Sequence, residues 1–404
     1  MTTTNATHKS KRLHITSSAL IFVVAIIFLA STLRTPLTGV GPVISSIRED
    51  LGISNVLAGF LTTIPLLAFA VVSPFAPRIS RKLGLEKTLV YSVILLTIGI
   101  IVRSLGTTTL LIFGTVLIGV AISFGNVLVP SFFKLKYPLH IGLLTGIYTV
   151  SMNISAAVAV GISNPLATNT SWGWQGALSV SVILTLITLV TWFPLLRGEK
   201  VDLSTLSNSS TDIPEIKIWK KPLAWAIAIA MGFQSLLFYC SISWLPEILI
   251  SQGYSAEKAG LLTSAMQMAQ IPMTFLIPII AEKLRSQRPL VYMFTVLYII
   301  GFTGLYFKLT DFTVFWMICI GLAAGSSFGI IMMLFTLRTK TAYEAAQISG
   351  FAQSIGYLLA AAGPVLFGFL HDATGSWDSP NILFIGSALI LFFTAFISAK
   401  DRYL

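Results

Sequence analysis

A chain of 404 residues that is 55% hydrophobic and only 10% charged cannot be a soluble globule, in which charged side chains approach about a quarter of the total. Its mean hydropathy is +0.86. The formal charge of +11 is scattered over many short segments rather than gathered into a patch, so it reads as a topology signal and no nucleic-acid partner is expected.

Stretches of about 20 mostly apolar residues, long enough to cross a bilayer as helices, begin near residues 17, 54, 87, 108, 140, 174, 223, 256, 289, 312, 344 and 379. Backbone groups in lipid must pair within their own segment. The chain is therefore an all-α membrane protein with twelve transmembrane helices. Arg34 falls inside the bilayer, and only Arg48, Arg103, Lys258 and Lys308 fall in one alternate set of connecting segments; the rest of the 26 Lys and Arg fall in the other set. That asymmetry puts both termini in the cytoplasm of a multi-pass protein of the cell membrane. No small-residue cleavage site follows the first apolar stretch, which is expected to stay as the first span.

The first span holds the most informative residue. Arg34 interrupts an apolar run from about Ala19 to Leu33 that resumes as Thr35-Pro36-Leu37-Thr38-Gly39-Val40-Gly41-Pro42. Burying a guanidinium there costs roughly 2.5 to 3.5 kcal/mol on insertion scales, so something must stabilise it. At helical spacing Ser31, Arg34, Thr38 and Gly41 share one face, a polar stripe that suits a cavity better than lipid. Pro36 and Pro42 free carbonyls that neighbouring groups must satisfy. Arg34 is thus either a substrate contact or a latch on carbonyls of adjacent helices. Every Asp and Glu lies in a loop or near a helix end, Glu247 and Glu282 being nearest to a span, and His8, His14, His140 and His371 also avoid mid-depth. An arginine without an acidic partner favours an anion, or a polarised nitro or carbonyl oxygen, as visitor. A relay of central acids is not expected; a coupled proton or counter-anion carried by other means stays open.

Further along the chain, Asn126, Pro130 and Lys134 follow one another by single turns toward the cytoplasmic end of the fourth span. Asn126 is the lining candidate, and Lys134 is expected to snorkel to the interface. In the fifth span Tyr148, Met152 and Ser155 share a face with Asn153 at its side, an aromatic and thioether surface suited to a flat solute or to plain core packing. Ser235 and Tyr239 pair in the seventh span, Gln267 and Gln270 lie one turn apart in the eighth, and Gln353 and Tyr357 pair in the eleventh. Each is placed to bind a ligand or to bridge two helices. Tyr239 also lies close to the position reached from Arg34 by the repeat offset described next. Cys240 and Cys319 fall within spans as small hydrophobes, and no metal or cofactor is expected.

The polar interval 197–222 reads as a flexible cytoplasmic linker between residues 1–196 and 223–404. The two halves echo each other: Ala58-Gly59-Phe60-Leu61-Thr62 matches Ala259-Gly260-Leu261-Leu262-Thr263, Ile118-Gly119-Val120-Ala121 matches Ile320-Gly321-Leu322-Ala323, and Gly146 answers Gly350, at offsets of 201, 202 and 204. Three matches in order point to duplication, and two pseudo-symmetric six-helix bundles about a central cavity are the major facilitator fold. The loop Pro77-Arg78-Ile79-Ser80-Arg81-Lys82-Leu83-Gly84 is similar to that superfamily's signature after its second helix but lacks the first Gly and the Asp. Leu33-Arg34-Thr35-Pro36 with Gly41-Pro42, Gly125-Asn126-Val127-Leu128-Val129-Pro130 with Lys134, and Gly142-Leu143-Leu144-Thr145-Gly146-Ile147-Tyr148 together resemble the cyanate and 2-nitroimidazole transporter family. The resemblance implies secondary active or facilitative transport of a small anionic or electron-rich solute by alternating access, uptake in some members and export in others. A monomer is expected. A broad-specificity exporter of drugs or toxic compounds on the same fold is the alternative, since aromatic cavities also serve lipophilic compounds. No G-x-x-x-x-G-K-[ST] loop or nucleophile constellation is present, so neither an ATP-driven pump nor an enzyme is expected.

Overall fold

The computed structural model describes residues 17–196 and 217–404; within the expected linker, 197–216 lie outside the described residues. Among the described residues, twelve helices are long and apolar enough to cross a membrane: span 1 Leu20–Leu51, span 2 Leu57–Leu83, span 3 Leu85–Arg103, span 4 Thr108–Lys136, span 5 Ile141–Asn169, span 6 Gly173–Phe193, span 7 Pro222–Ser251, span 8 Glu257–Lys283, span 9 Arg288–Tyr306, span 10 Thr310–Leu337, span 11 Ala342–Thr374 and span 12 Asp378–Ser398. Their starts follow the hydropathy reading closely. Span 1 is broken after Thr38, where a short 3-10 turn at Gly41–Val43 leads into Ile44–Leu51. Pro42 has no N–H to continue the ladder. One carbonyl near the break, Pro36 O, accepts from Nη1 of Arg103 at 2.6 Å. Arg103 is therefore buried, 1% exposed, rather than solvated as its place at a span end suggests.

The duplication read from three short matches extends through the packing. Spans 1–5, 1–6, 2–4, 3–4 and 3–6 pack together in the first half, and spans 7–11, 7–12, 8–10, 9–10 and 9–12 repeat that pattern in the second. Ser54 caps span 2 and Ser255 caps span 8, each side chain accepting from the backbone N–H three residues on at 3.2 Å. The matched Gly119 and Gly321 sit where span 4 crosses span 2 and span 10 crosses span 8: an added Cβ would come within 2.7 Å of Ala68 Cβ and 2.1 Å of Met266 O. Near the ends of spans 4 and 10, Lys136 pairs with Glu86 at 2.9 Å, while Arg338 donates to the Gln287 side chain and to Ser398 O and Ala399 O. Burial pushes the Arg338 guanidinium down from its ordinary range.

The halves meet along a seam of backbone contacts that obeys the same pseudo-twofold relation, spans 5 and 10 of one pairing answering spans 11 and 4 of the other, and 5–8 answering 11–2. Gly146 lies where a Cβ would be 2.7 Å from Phe275 O, and Gly350 where one would be 2.5 Å from Ser73 O. Among the described residues, every hydrogen bond between the halves lies from mid-depth toward the end rich in Lys and Arg. Thr149 Oγ1 donates to Thr274 O at 2.7 Å, Ser131 Oγ to Ala342 O at 2.6 Å and Ser354 Oγ to Ala70 O at 2.5 Å.

Two charged side chains complete this closure, each on a helix end of complementary polarity. The Glu282 carboxylate accepts from the backbone N–H of Ile141 and Gly142 at the start of span 5, and glycine at 142 leaves it room, since a Cβ there would be 2.7 Å from Oε2. Lys134 Nζ donates to Thr336 O at 2.6 Å, to Thr339 Oγ1 at 3.0 Å and to Thr339 O at the end of span 10. The sequence reading had Lys134 snorkelling to the interface. Instead the carbonyls of a facing helix end satisfy it, because the other half stands within its reach.

Charge-assisted bonds of this kind contribute about 1.5–3 kcal/mol each, enough to move a two-state equilibrium by about tenfold or more. The double substitution Lys134→Ala with Glu282→Ala is expected to part the halves at the basic end. Spin labels at Lys82 and Lys283, both exposed near the ends of spans 2 and 8, should then report a longer distance population; an unchanged distribution would mean that the backbone seam alone holds them.

Candidate functional site

Just beyond the seam at mid-depth lies a small cavity in two lobes that share Arg34, Tyr239, Phe328 and Tyr357. Spans 1, 2, 4, 5, 7, 8, 10 and 11 supply its walls. Arg34 takes part in no salt bridge among the described residues, and its Nε is buried without a hydrogen-bond partner. Phe238 offers its ring face 5.7 Å from the guanidinium carbon. A cation–π contact of this length stabilises the charge by roughly 0.5–2 kcal/mol without neutralising it. Among the described residues no Asp, Glu, His or Lys lines either lobe, so the described lining carries a net positive charge.

The remaining polar groups surround that charge. Tyr148 Oη donates to Asn126 Oδ1 at 3.2 Å, which orients the Asn126 amide with its Nδ2 unspent. Tyr357 stacks at 4.9 Å and a tilted angle on Phe69, and neither its hydroxyl nor that of Tyr239 has a hydrogen-bond partner among the described residues. Gln353 Nε2 donates to Asn126 O at 3.0 Å and to Ser349 Oγ at 2.8 Å. In the second lobe Asn153 bridges the halves, giving Nδ2 to Thr274 Oγ1 at 3.2 Å and accepting from Gln270 Nε2 at 3.4 Å. Ser235 Oγ donates to Gln234 Oε1 at 3.4 Å.

Of the residues singled out in the sequence, Arg34, Asn126, Tyr148, Met152, Asn153, Ser235, Tyr239, Gln270, Gln353 and Tyr357 converge on this cavity. Ser31, Thr38 and Gln267 do not line it. Ser31 Oγ donates to its own helix at Ile27 O, and Thr38 Oγ1 to Arg34 O and, across to span 5, Ala156 O. Both hydroxyls are thus spent on backbone carbonyls of spans 1 and 5.

Sequence reasoning passed over Leu33, Leu37, Phe69, Gln234, Phe238, Phe328 and Met332, which also line the cavity. The repeat carried a signal for two of them. An offset of 202 takes Asn126 to Phe328, and one of 204 takes Arg34 to Phe238 and Asn153 to Tyr357. At these equivalent positions the first half presents charge or amide and the second an aromatic face. The lining thus offers hydrogen-bond donors from one half and ring faces from the other.

The match to a family profile now carries weight: the chain belongs to the Major Facilitator Superfamily, whose profile covers residues 20–364. It is 45% identical to "Uncharacterized transporter YycB" of Bacillus subtilis (strain 168) over 95% of this chain and 94% of that one. It is 36% identical to the 2-nitroimidazole transporter of Escherichia coli (strain K12), over 95% and 96% of the two chains, and 23% identical to the cyanate transport protein CynX of the same strain, over 87% and 90%. Among solved structures, the proton:xylose symporter XylE superposes with a TM-score of 0.76 at 14% identity, covering 96% of this chain and 98% of that one. FucP, in an outward conformation, gives 0.71 at 12% identity over 94% and 99%. The protein is a transporter of this fold and not an enzyme.

With no Asp, Glu, His or Lys among the described lining residues, the affinity of a fully ionised anion that binds there is expected to vary by less than about twofold between about pH 5 and pH 8, where histidine titrates at its ordinary pKa and a carboxyl or amine only when its surroundings shift it there. Calorimetric titration across that window checks this, and a change of about tenfold would require a titrating group in contact with the ligand.

Proposed function

We propose that the protein moves a small anionic or electron-rich solute across the cell membrane by alternating access, with Arg34 as the principal substrate contact. The observation that carries this reading is the guanidinium held at mid-depth among aromatic and amide groups with no acidic partner among the described residues. A visiting oxygen or nitrogen lone pair stabilises it by a charge-assisted hydrogen bond, and its planar donors suit a flat acceptor. The relatives named for 2-nitroimidazole and cyanate transport support a ligand of that electron-rich kind. The exporter of lipophilic drugs has less support, because an unneutralised arginine repels lipophilic cations.

Transport follows from rocking of the two halves about this site. With the basic end taken as cytoplasmic, together with both termini, the hydrogen bonds on that side of the cavity keep the site from the cytoplasm, and the site faces outward. Release inward requires the Glu282 and Lys134 contacts to part while others form between the outer halves of the spans. The gradient sets the direction, and a proton or counter-anion is the coupling partner of this reading. One chain contains the whole pathway, so the working unit is a monomer.

Arg34→Ala is expected to weaken binding of 2-nitroimidazole or cyanate by about ten- to a hundredfold, the equivalent of about 1.5–3 kcal/mol for a lost charge-assisted bond. Arg34→Lys keeps the charge but loses the planar two-pronged geometry and should fall between. Uptake into proteoliposomes and thermal shift on the purified chain read both effects; wild-type transport by Arg34→Ala would reject the assignment.

A further inference from the structure

Gln353 carries information about the cargo that Arg34 does not. Its side chain is 1% exposed and lines the first lobe beside Arg34. The amide orientation is forced: the atom 3.0 Å from Asn126 O must be the NH₂ group, because a backbone carbonyl only accepts. With Nε2 also bonded to Ser349 Oγ at 2.8 Å, Oε1 is pinned in place. That oxygen is buried and has no hydrogen-bond partner among the described residues.

A buried acceptor left unmet costs about 1–3 kcal/mol. Every other polar group around Arg34 is spent or can donate: the guanidinium, the Asn126 Nδ2 and the hydroxyls of Tyr239 and Tyr357. The lobe therefore holds several groups able to donate, and Gln353 Oε1 is its unpartnered group that can only accept. A bare acceptor such as cyanate or nitrate satisfies the first set and leaves Oε1 unpaired, whereas a ligand with an N–H beside its acceptor edge satisfies both.

We infer that Gln353 is a specificity-determining residue whose Oε1 accepts a hydrogen bond from an N–H of the substrate, so that the cavity selects flat solutes with adjacent acceptor and N–H donor groups over simple inorganic anions. This rests on the reading of the cavity as the transport site. A site built to meet a donor rejects the analogue that lacks it, since the buried partner is then left unpaired.

The test compares 2-nitroimidazole with 1-methyl-2-nitroimidazole, in which a methyl replaces the N–H, at a pH where the ring N–H is retained. Binding to the purified full chain is measured by calorimetry for the wild type, Gln353→Leu and Gln353→Met. The wild type should prefer the N–H compound by about tenfold or more, as expected for one polar group left unpaired, and in both variants the preference should shrink to within about twofold. The ratio is read inside each variant, so a general loss of packing from the broken Asn126 and Ser349 bonds lowers both affinities and leaves it unchanged. Equal wild-type affinities would overturn the inference and indicate water at Oε1; a preference that survives in the variants would overturn it by placing the N–H elsewhere. Arg34→Ala is the separate control: loss of both ligands upholds the site, and undiminished binding of both rejects the site itself.

Discussion

The close approach of the two halves along one end of the molecule is the constraint on which the rest depends. Gly146 against Phe275 O and Gly350 against Ser73 O let helix backbones touch where any side chain would collide. In a membrane, where apolar surface is not driven out of water, such contacts and the hydrogen bonds beside them supply the association energy. Thr149, Ser131 and Ser354 each give a hydroxyl to a carbonyl of the opposite half at the same seam. Lys134 and Glu282 add two charges placed on helix ends of the right sign.

Above that floor the cavity has its character because the seam stops. Arg34 stands at the level where the halves cease to bond, and Phe238 across the pseudo-twofold axis covers it without a counter-charge. A carboxylate there would have neutralised the guanidinium. The asymmetry between charge and amide in one half and aromatic faces in the other arose on a duplicated scaffold, whose spans pack in the same pairs on both sides. Duplication set the positions, and divergence at Asn126 and Phe328, or Asn153 and Tyr357, set what they present.

The superfamily's signature after span 2 resembles one with an Asp, which Pro77–Gly84 lacks. In this chain the acidic group at the basic-end closure comes from the other half: Glu282 at the end of span 8 meets the start of span 5. Gly142 provides the space for it.

Much of this was legible in the chain. Local composition dictated the twelve spans, because each helix must satisfy its own backbone in lipid wherever it stands, and the repeat offsets anticipated both the twofold packing and the glycines of the seam. Arg34, which has no acidic partner among the described residues, was legible for the same reason, since a mid-span guanidinium is costly in any arrangement. Convergence was not. Whether Gln353 or Gln267 lines the cavity, whether Lys134 reaches lipid headgroups or the end of span 10, and which aromatic faces Arg34 are decided by the rotation and crossing of helices distant in sequence. Helical periodicity places a residue on a face; only the packing of the other helices determines what that face meets.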